Sequence, residues 1–331
     1  MPDALLKGNA MSFISKLPFK FFFTNTSRIL SNIVRRGSML KLKTWRRGML
    51  FILNFRSHLR FIRILSHPQA RQLILRKPEL TYKYLRDYIS LDIPARNGLL
   101  ILISHYSYLQ SNFRIDFLDE IYQRPVPLWE QYIDGIPFEI VMDFPHTVDH
   151  EGDLCLIFKK DLACIYRLIF VIAKGSSFAF PDEHVIFISS VQGMHDFAEI
   201  QQATKICHDV QPAQLLMAAI SGVGLALSFN TIVGIASKNQ ICQCEKFFFS
   251  YDKFFEQYGD LVPQKNFYRI SLPYAEKALD LIQARHRKRT QVKRMFKKEI
   301  RDQVALSIGQ YIVRDLVHEA GAPSVAPVPI Q

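Results

Sequence analysis

The chain has 331 residues, 49% of them apolar, and its 42 Lys and Arg against 30 Asp and Glu give a formal net charge of +12. That apolar share belongs to a globular protein and excludes global disorder. The most apolar windows, Met49–Leu53, Leu168–Ala173 and Leu215–Leu227, fall short of the roughly 18 uninterrupted apolar residues of a spanning helix, so the sequence does not read as an integral membrane protein.

The charge is unevenly placed. Residues 1–63 hold thirteen bases against Asp3, and residues 285–301 hold nine against Glu299, which leaves 19 bases and 25 acids in residues 64–284. At the start of the chain Pro18, Lys20 and Asn25 break up the Phe-rich run Phe19–Phe23, and no small-residue cleavage site follows, so the segment does not read as a secretory signal. The five cysteines (Cys155, Cys164, Cys207, Cys242, Cys244) are odd in number and scattered, which suits free thiols in a reducing compartment. A cytoplasmic location is expected. Cys242-x-Cys244 lacks a second pair of ligands at zinc-like spacing, and no metal is expected.

Residues 1–44 form a basic, aromatic-rich flank that admits two readings, helices packed on the core or an interfacial segment against an anionic membrane surface, peripheral to the inner membrane. Residues 45–125 read as helical: Leu59, Ile62 and Ile64-Leu65 recur at helical spacing, Pro68 and Pro78 open further helices, and Asn97-Gly98 marks a loop before another helix through His105-Tyr106. Residues 126–284 read as an α+β core. Ile136–Phe144, Asp153–Lys159, Cys164–Ala173 and His184–Ser190 are four sequential strands, expected to be antiparallel. An apolar helix carrying Phe197, Ile200, Ala203 and Cys207 follows. A second, buried helix opens at Pro212 and ends at Asn230, and a buried strand runs over Thr231–Ala236. Residues 285–310 predict a basic helix, and residues 311–331 a tail disordered from about 321. The fold class is α+β: a helical N-terminal region, then a mixed, mainly antiparallel sheet with packed helices.

Val191-Gln192-Gly193, then Ala203-Thr204-Lys205, His208 and Pro212, then Phe249-x-Tyr251-Asp252 with Phe254-Phe255, Gly259 and Leu272-Pro273 follow in an order that resembles the VirK/YbjX family of Gram-negative enteric bacteria, over about Phe55 to Met295. The resemblance implies a virulence accessory protein linked to the cell envelope. It further implies roles in surface display of an outer-membrane virulence protein needed for intercellular spread and in antimicrobial-peptide resistance. It carries over no catalytic residues.

The strand series, the turn at Gln192-Gly193, the buried helix and the next strand also look like the core of the Gcn-five-related acyltransferases, which implies acyl-coenzyme A or another acyl carrier as ligand. In that fold backbone N–H groups at a helix N-terminus hold the pyrophosphate. The glycine-rich turn of that fold is absent here, since Met194-His195-Asp196 follow Gly193. On this reading a site gathers Gln192, Gly193, Thr204, Lys205, His208, Asn239, Tyr251 and Asp252. His208 is the candidate general base, Lys205 the anion holder, and Tyr251 or Asp252 orients or protonates the leaving group. Their plainer readings are a helix-end histidine, a solvated lysine and residues that fix a turn. Arg285, Arg287, Lys288, Arg289, Lys293 and Arg294 are candidate contacts to an anionic surface. An RNA-binding regulator is the third alternative, but no helix-turn-helix, zinc finger or aromatic RNA-binding motif accompanies these bases, and phosphate contacts alone are non-specific.

Overall fold

The computed structural model describes residues 41–145, 150–194, 196–242, 249–263 and 265–313. Most of the N-terminal flank, His195, Cys244 and the tail from 314 therefore lie outside the described residues.

Among the described residues five α-helices come first: α1 (Lys41–Leu53), α2 (Phe55–Leu65), α3 (Pro68–Arg76), α4 (Ala95–Asn112) and α5 (Ile115–Ile121). In α2, His58, Phe61, Ile62 and Leu65 are buried on one face, the spacing that a core-facing helix requires. Pro68 occupies the first turn of α3, but Pro78 opens a 3-10 segment, Pro78–Leu85, instead of an α-helix. Asn97-Gly98 is not a loop. Both residues lie in the first turn of α4, where a Cβ at Gly98 would stand 3.3 Å from the Tyr88 ring, a tight contact that glycine avoids.

Eight strands form one sheet among the described residues: β1 (Val126–Ile133), β2 (Ile136–Asp143), β3 (Leu154–Lys160), β4 (Ala163–Lys174), β5 (His184–Gly193), β6 (Thr231–Ile235), β7 (Asp260–Val262) and β8 (Phe267–Ser271), in the order β1-β2-β3-β4-β5-β6-β8-β7. The four expected strands are β2 to β5, each antiparallel to the next. β1 escapes sequence detection because it is an edge strand with Pro127 near its start and exposed Glu130 and Tyr132. Between β5 and β6 run α6 (Phe197–Ile206) and α7 (Pro212–Ala226), the crossover that makes β5 and β6 parallel. α7 ends at Ala226, earlier than Asn230, because Ser228 takes a left-handed φ of 58°. α7 lies across β3 to β6, and α4 packs on β4.

After β6 come a short α8 (Tyr251–Phe255), β7, β8 and the long α9 (Ala284–Gly309). α9 buries Phe296, Ile300, Val304 and Ile308 at four-residue intervals and crosses α7 at Gly222, where a Cβ would stand 2.3 Å from the Arg301 carbonyl oxygen. A single apolar core runs from Phe61 in α2 through the sheet to Ile308 in α9.

Candidate functional site

The parallel strands β5 and β6 are in register only at Ile186–Ile188 against Ile232–Gly234, yet β5 continues to Gly193. A bulge in the β4/β5 ladder, where Ile169 pairs Ser190 and Phe170 pairs Ile188, leaves Ser189 as the extra residue and bends β5 at the point where β6 is lost. The sheet thus splits along Ser189–Gly193. Backbone groups on that inner edge need partners, because buried N–H and C=O groups are costly when unpaired. The Tyr251 hydroxyl supplies them at Val191: it accepts from the amide at 3.2 Å and lies 3.4 Å from the carbonyl.

A buried polar cluster lines this split. Glu151, 1% exposed, accepts from Gln240 Nε2 at 2.6 Å and from Gln192 Nε2 at 3.2 Å, with further hydrogen bonds from Ser190 and Cys242. Arg167 Nη2 donates to Gln192 Oε1 at 2.9 Å, so the amide of Gln192 links the guanidinium to the carboxylate. Burial pushes the Glu151 carboxyl above its ordinary value, and the Ser190 and Gln240 donors and the Arg167 charge only partly offset this. Tyr251 is likewise raised by burial. A carboxyl raised toward neutrality is suited to take a proton, and the Tyr251 hydroxyl, 3.5 Å from Ser190 Oγ, which itself bonds Glu151, is placed to relay one.

The Glu151 segment is held from behind by a second polar cluster. Asp153 is 2% exposed and accepts from Lys83 Nζ at 2.9 Å, Tyr106 OH at 2.9 Å and Tyr88 OH. Burial alone would raise Asp153, but the charges of Lys83 and His105 and the Tyr88 and Lys83 hydrogen bonds outweigh it and hold the carboxyl low. Lys83 also donates to the Gly152 carbonyl at 3.0 Å, and the Ile89 amide to the His150 carbonyl at 2.7 Å. Gly152 is needed where the chain passes β4, since a Cβ would stand 2.7 Å from Ile169 Cγ2.

Of the residues expected in a site, Gln192 and Tyr251 meet at this cluster. Gly193 ends β5, and a Cβ there would stand 2.8 Å from Ile200 Cδ1. The others go elsewhere. Asn239 Nδ2 donates to the Asn266 carbonyl at 3.3 Å. Asp252 accepts from the Ser237 amide at 3.1 Å and Tyr268 OH at 3.2 Å, which ties α8 to the end of β6. Thr204 Oγ1 bonds back to the Ile200 carbonyl, Lys205 is exposed in the last turn of α6, and His208, at φ 54°, sets its ring edge-on to Phe296 of α9 at 4.9 Å. Sequence reasoning misses Glu151, Arg167, Ser190 and Gln240. His150-Glu151-Gly152 reads as a turn, and its one signal is two acids flanking a glycine directly before a strand.

The bases of α9 are largely engaged within the chain. Arg289 pairs with Asp209 at 2.9 Å, and Lys293 donates to the Asp209 carbonyl. Arg294 pairs with Glu276 at 2.8 Å, Arg287 bonds the Ile282 and Asp280 carbonyls, and Arg285 bonds Gln283. Lys288 is exposed.

The model of a family described as "Protein of unknown function (DUF535)" matches residues 41–307. The chain belongs to this family. It is also 23% identical over 238 residues, 67% of this chain and 70% of the relative, to "Uncharacterized protein YbjX" of Escherichia coli (strain K12). The VirK/YbjX resemblance drawn from the ordered motifs is thereby borne out. No solved structure matches. The DUF535 match takes in both polar clusters, the split and nearly all of α9, and stops short of most of the basic flank. No helix among the described residues is long and apolar enough to cross a membrane.

Proposed function

We propose that the chain is an acyltransferase-like enzyme that accepts an acyl group on an extended, amide-bearing carrier arm in the split between β5 and β6. The observation that carries this reading is the inner edge of β5, which β6 leaves and which a hydroxyl on a neighbouring segment covers at Val191. An amide-bearing arm is the ligand chemistry that pairs with such an edge, as an added strand does.

The pyrophosphate of coenzyme A does not fit the same scheme. At the N-terminus of α6 the Asp196 side chain already accepts from the Glu199 amide, and Glu199 adds a second carboxylate to the first turn. Anions are repelled where such groups fill the cap. The reading therefore favours a carrier other than coenzyme A, and no step is assigned to the nucleotide.

In the transfer, an acceptor hydroxyl or amine attacks the thioester carbon and its proton passes to Glu151. The carbon–sulfur bond breaks as the new carbon–oxygen or carbon–nitrogen bond forms, and the proton taken by Glu151 passes through the Ser190 and Tyr251 hydroxyls to the departing sulfur, which returns all three groups to their starting state. Arg167 and Gln192 keep the Glu151 carboxylate in place.

For the wider role we propose what the VirK/YbjX resemblance implies: an accessory protein working in the cytoplasm or at the inner membrane surface, supporting the cell envelope, surface display of an outer-membrane virulence protein and antimicrobial-peptide tolerance. Purified protein should be thermally stabilised by acyl thioesters and should turn them over, and Glu151→Gln should lower turnover by about 10²–10⁴-fold. Absence of stabilisation by any acyl thioester, together with full complementation of a deletion strain by Glu151→Gln, overturns the enzymatic reading. An unaltered surface and peptide sensitivity in a clean deletion overturns the envelope role.

A further inference from the structure

α1 and α2 form one nearly continuous rod, because the Asn54 amide bonds the Leu50 carbonyl at 3.1 Å and the Asn54 carbonyl receives the His58 amide at 2.8 Å. The inner face is ordinary, with His58, Phe61, Ile62 and Leu65 buried. The outer face is not. Trp45 (70% exposed), Met49 (45%), Ile52 (72%) and Leu53 (74%) lie at positions i, i+4, i+7 and i+8, and Leu59 (41%) continues the stripe in α2. Solvent-facing helix positions are normally polar, so a row of large apolar side chains here is unaccounted for by the fold.

The polar residues on and beside the stripe are bases: Arg46, Arg56, Arg60 and Arg63 are exposed, and no ion pair engages them among the described residues. From residue 41 to 78 the chain has no Asp or Glu, the next acid being Glu79. The face therefore combines aromatic and aliphatic groups with uncompensated positive charge. A second copy of the same face would oppose arginine to arginine, whereas an anionic lipid surface takes the apolar groups among its acyl chains and the guanidinium groups on its phosphates.

We infer that the outer face of α1 and α2 docks the protein on an anionic bilayer surface. The surface stands on its own geometry. Only its purpose, access to an acyl donor or acceptor held at the membrane, rests on the acyl-transfer reading.

Trp45 makes the test direct, since the chain has two tryptophans and the other, Trp129, is 2% exposed. The full chain should float with phosphatidylglycerol-containing vesicles and not with phosphatidylcholine alone, and its emission should shift to the blue on binding, a shift kept in Trp129→Phe. Ile52→Ser/Leu53→Ser and, separately, Arg56→Glu/Arg60→Glu should each weaken partitioning by about tenfold or more. Failure to float, flotation without a Trp45 shift, or flotation unchanged in both variants overturns the proposal, the last two pointing to another segment such as residues 1–40. The two readings separate cleanly: Glu151→Gln should float normally and lose turnover, whereas the surface variants should keep turnover on a water-soluble acyl donor.

Discussion

Glu151 and Asp153 stand two residues apart, both buried, with opposite balances. Glu151 has amides and a hydroxyl around it and feels the Arg167 charge, yet burial outweighs them and its carboxyl is raised above its ordinary value. A raised folded-state value means that the folded protein prefers the protonated form; that contribution is complete below the unfolded value and is lost as pH rises through the raised one. Glu151→Gln, which keeps the shape and removes the charge, should therefore be more stable than the parent at pH 7–8, with the difference vanishing below about pH 4, as read from urea midpoints across pH. Gain of stability with loss of turnover is what a functional carboxylate predicts, and a destabilised Glu151→Gln would mark the group as structural. Asp153 is the reverse: its lowered value contributes stability above its unfolded value that is lost as pH falls through the folded one. Lys83→Met should cost about 3–5 kcal/mol in denaturant unfolding, because it strands a buried carboxylate. None of this is legible in the sequence. A histidine at a helix end and a lysine beside it look chemical in isolation, but His208 and Lys205 face α9 and solvent, while Glu151 hides in a turn triplet whose meaning depends on β4 and β5 passing over it.

The helices and central strands are readable where their apolar pattern is dictated by burial on one or both faces. The mostly apolar run of α7, with Gln214 and Ser221 its polar residues, and the β-branched run of β6 are of this kind. The edge strands β1 and β7 are not, since Asp260–Val262 and the exposed half of β1 carry little apolar signal and owe their conformation to a neighbour. Close approach between elements is equally hidden, because a glycine does not say what approaches it. Gly222 and Gly224 differ in this respect. A Cβ at Gly222 meets the backbone of α9, whereas at Gly224 it meets the Leu272 Cδ1 methyl, the end of a movable side chain. Gly222→Ala should cost about 1–3 kcal/mol and loosen α9, measured as faster amide exchange over Phe296–Ile308. Gly224→Ala should cost less and leave that exchange unchanged. Equal effects would mean that α9 does not depend on the crossing at Gly222.

At the scale of the whole molecule, the positive charge that frames the sequence divides into two kinds. α9 uses its bases against the acidic middle: Arg289 on Asp209, and Arg294 and Lys297 both on Glu276, with Lys297 2.5 Å from one of its oxygens. The Arg289 pair is too exposed to contribute much, but Arg294, Lys297 and Glu276 are at most 31% exposed and form a three-charge cluster that fastens α9 to the loop before it. Arg56 and Arg60 of α2 face solvent instead. Charge removal at the two ends should therefore separate two properties. Arg294→Gln/Lys297→Gln should lower the unfolding midpoint, by an amount equivalent to about 1 kcal/mol, and change retention on an anionic surface little. Arg56→Gln/Arg60→Gln should leave the midpoint in place and lower both the retention and its dependence on salt, since each phosphate that the protein no longer neutralises takes about one unit off the salt slope. Unfolding curves and salt elution from an anionic matrix, run on the parent, the two double variants and their combination, read both properties at once. If the α9 substitutions weakened retention instead, the basic helix would be the binding surface, and an RNA ligand would regain its standing over the membrane.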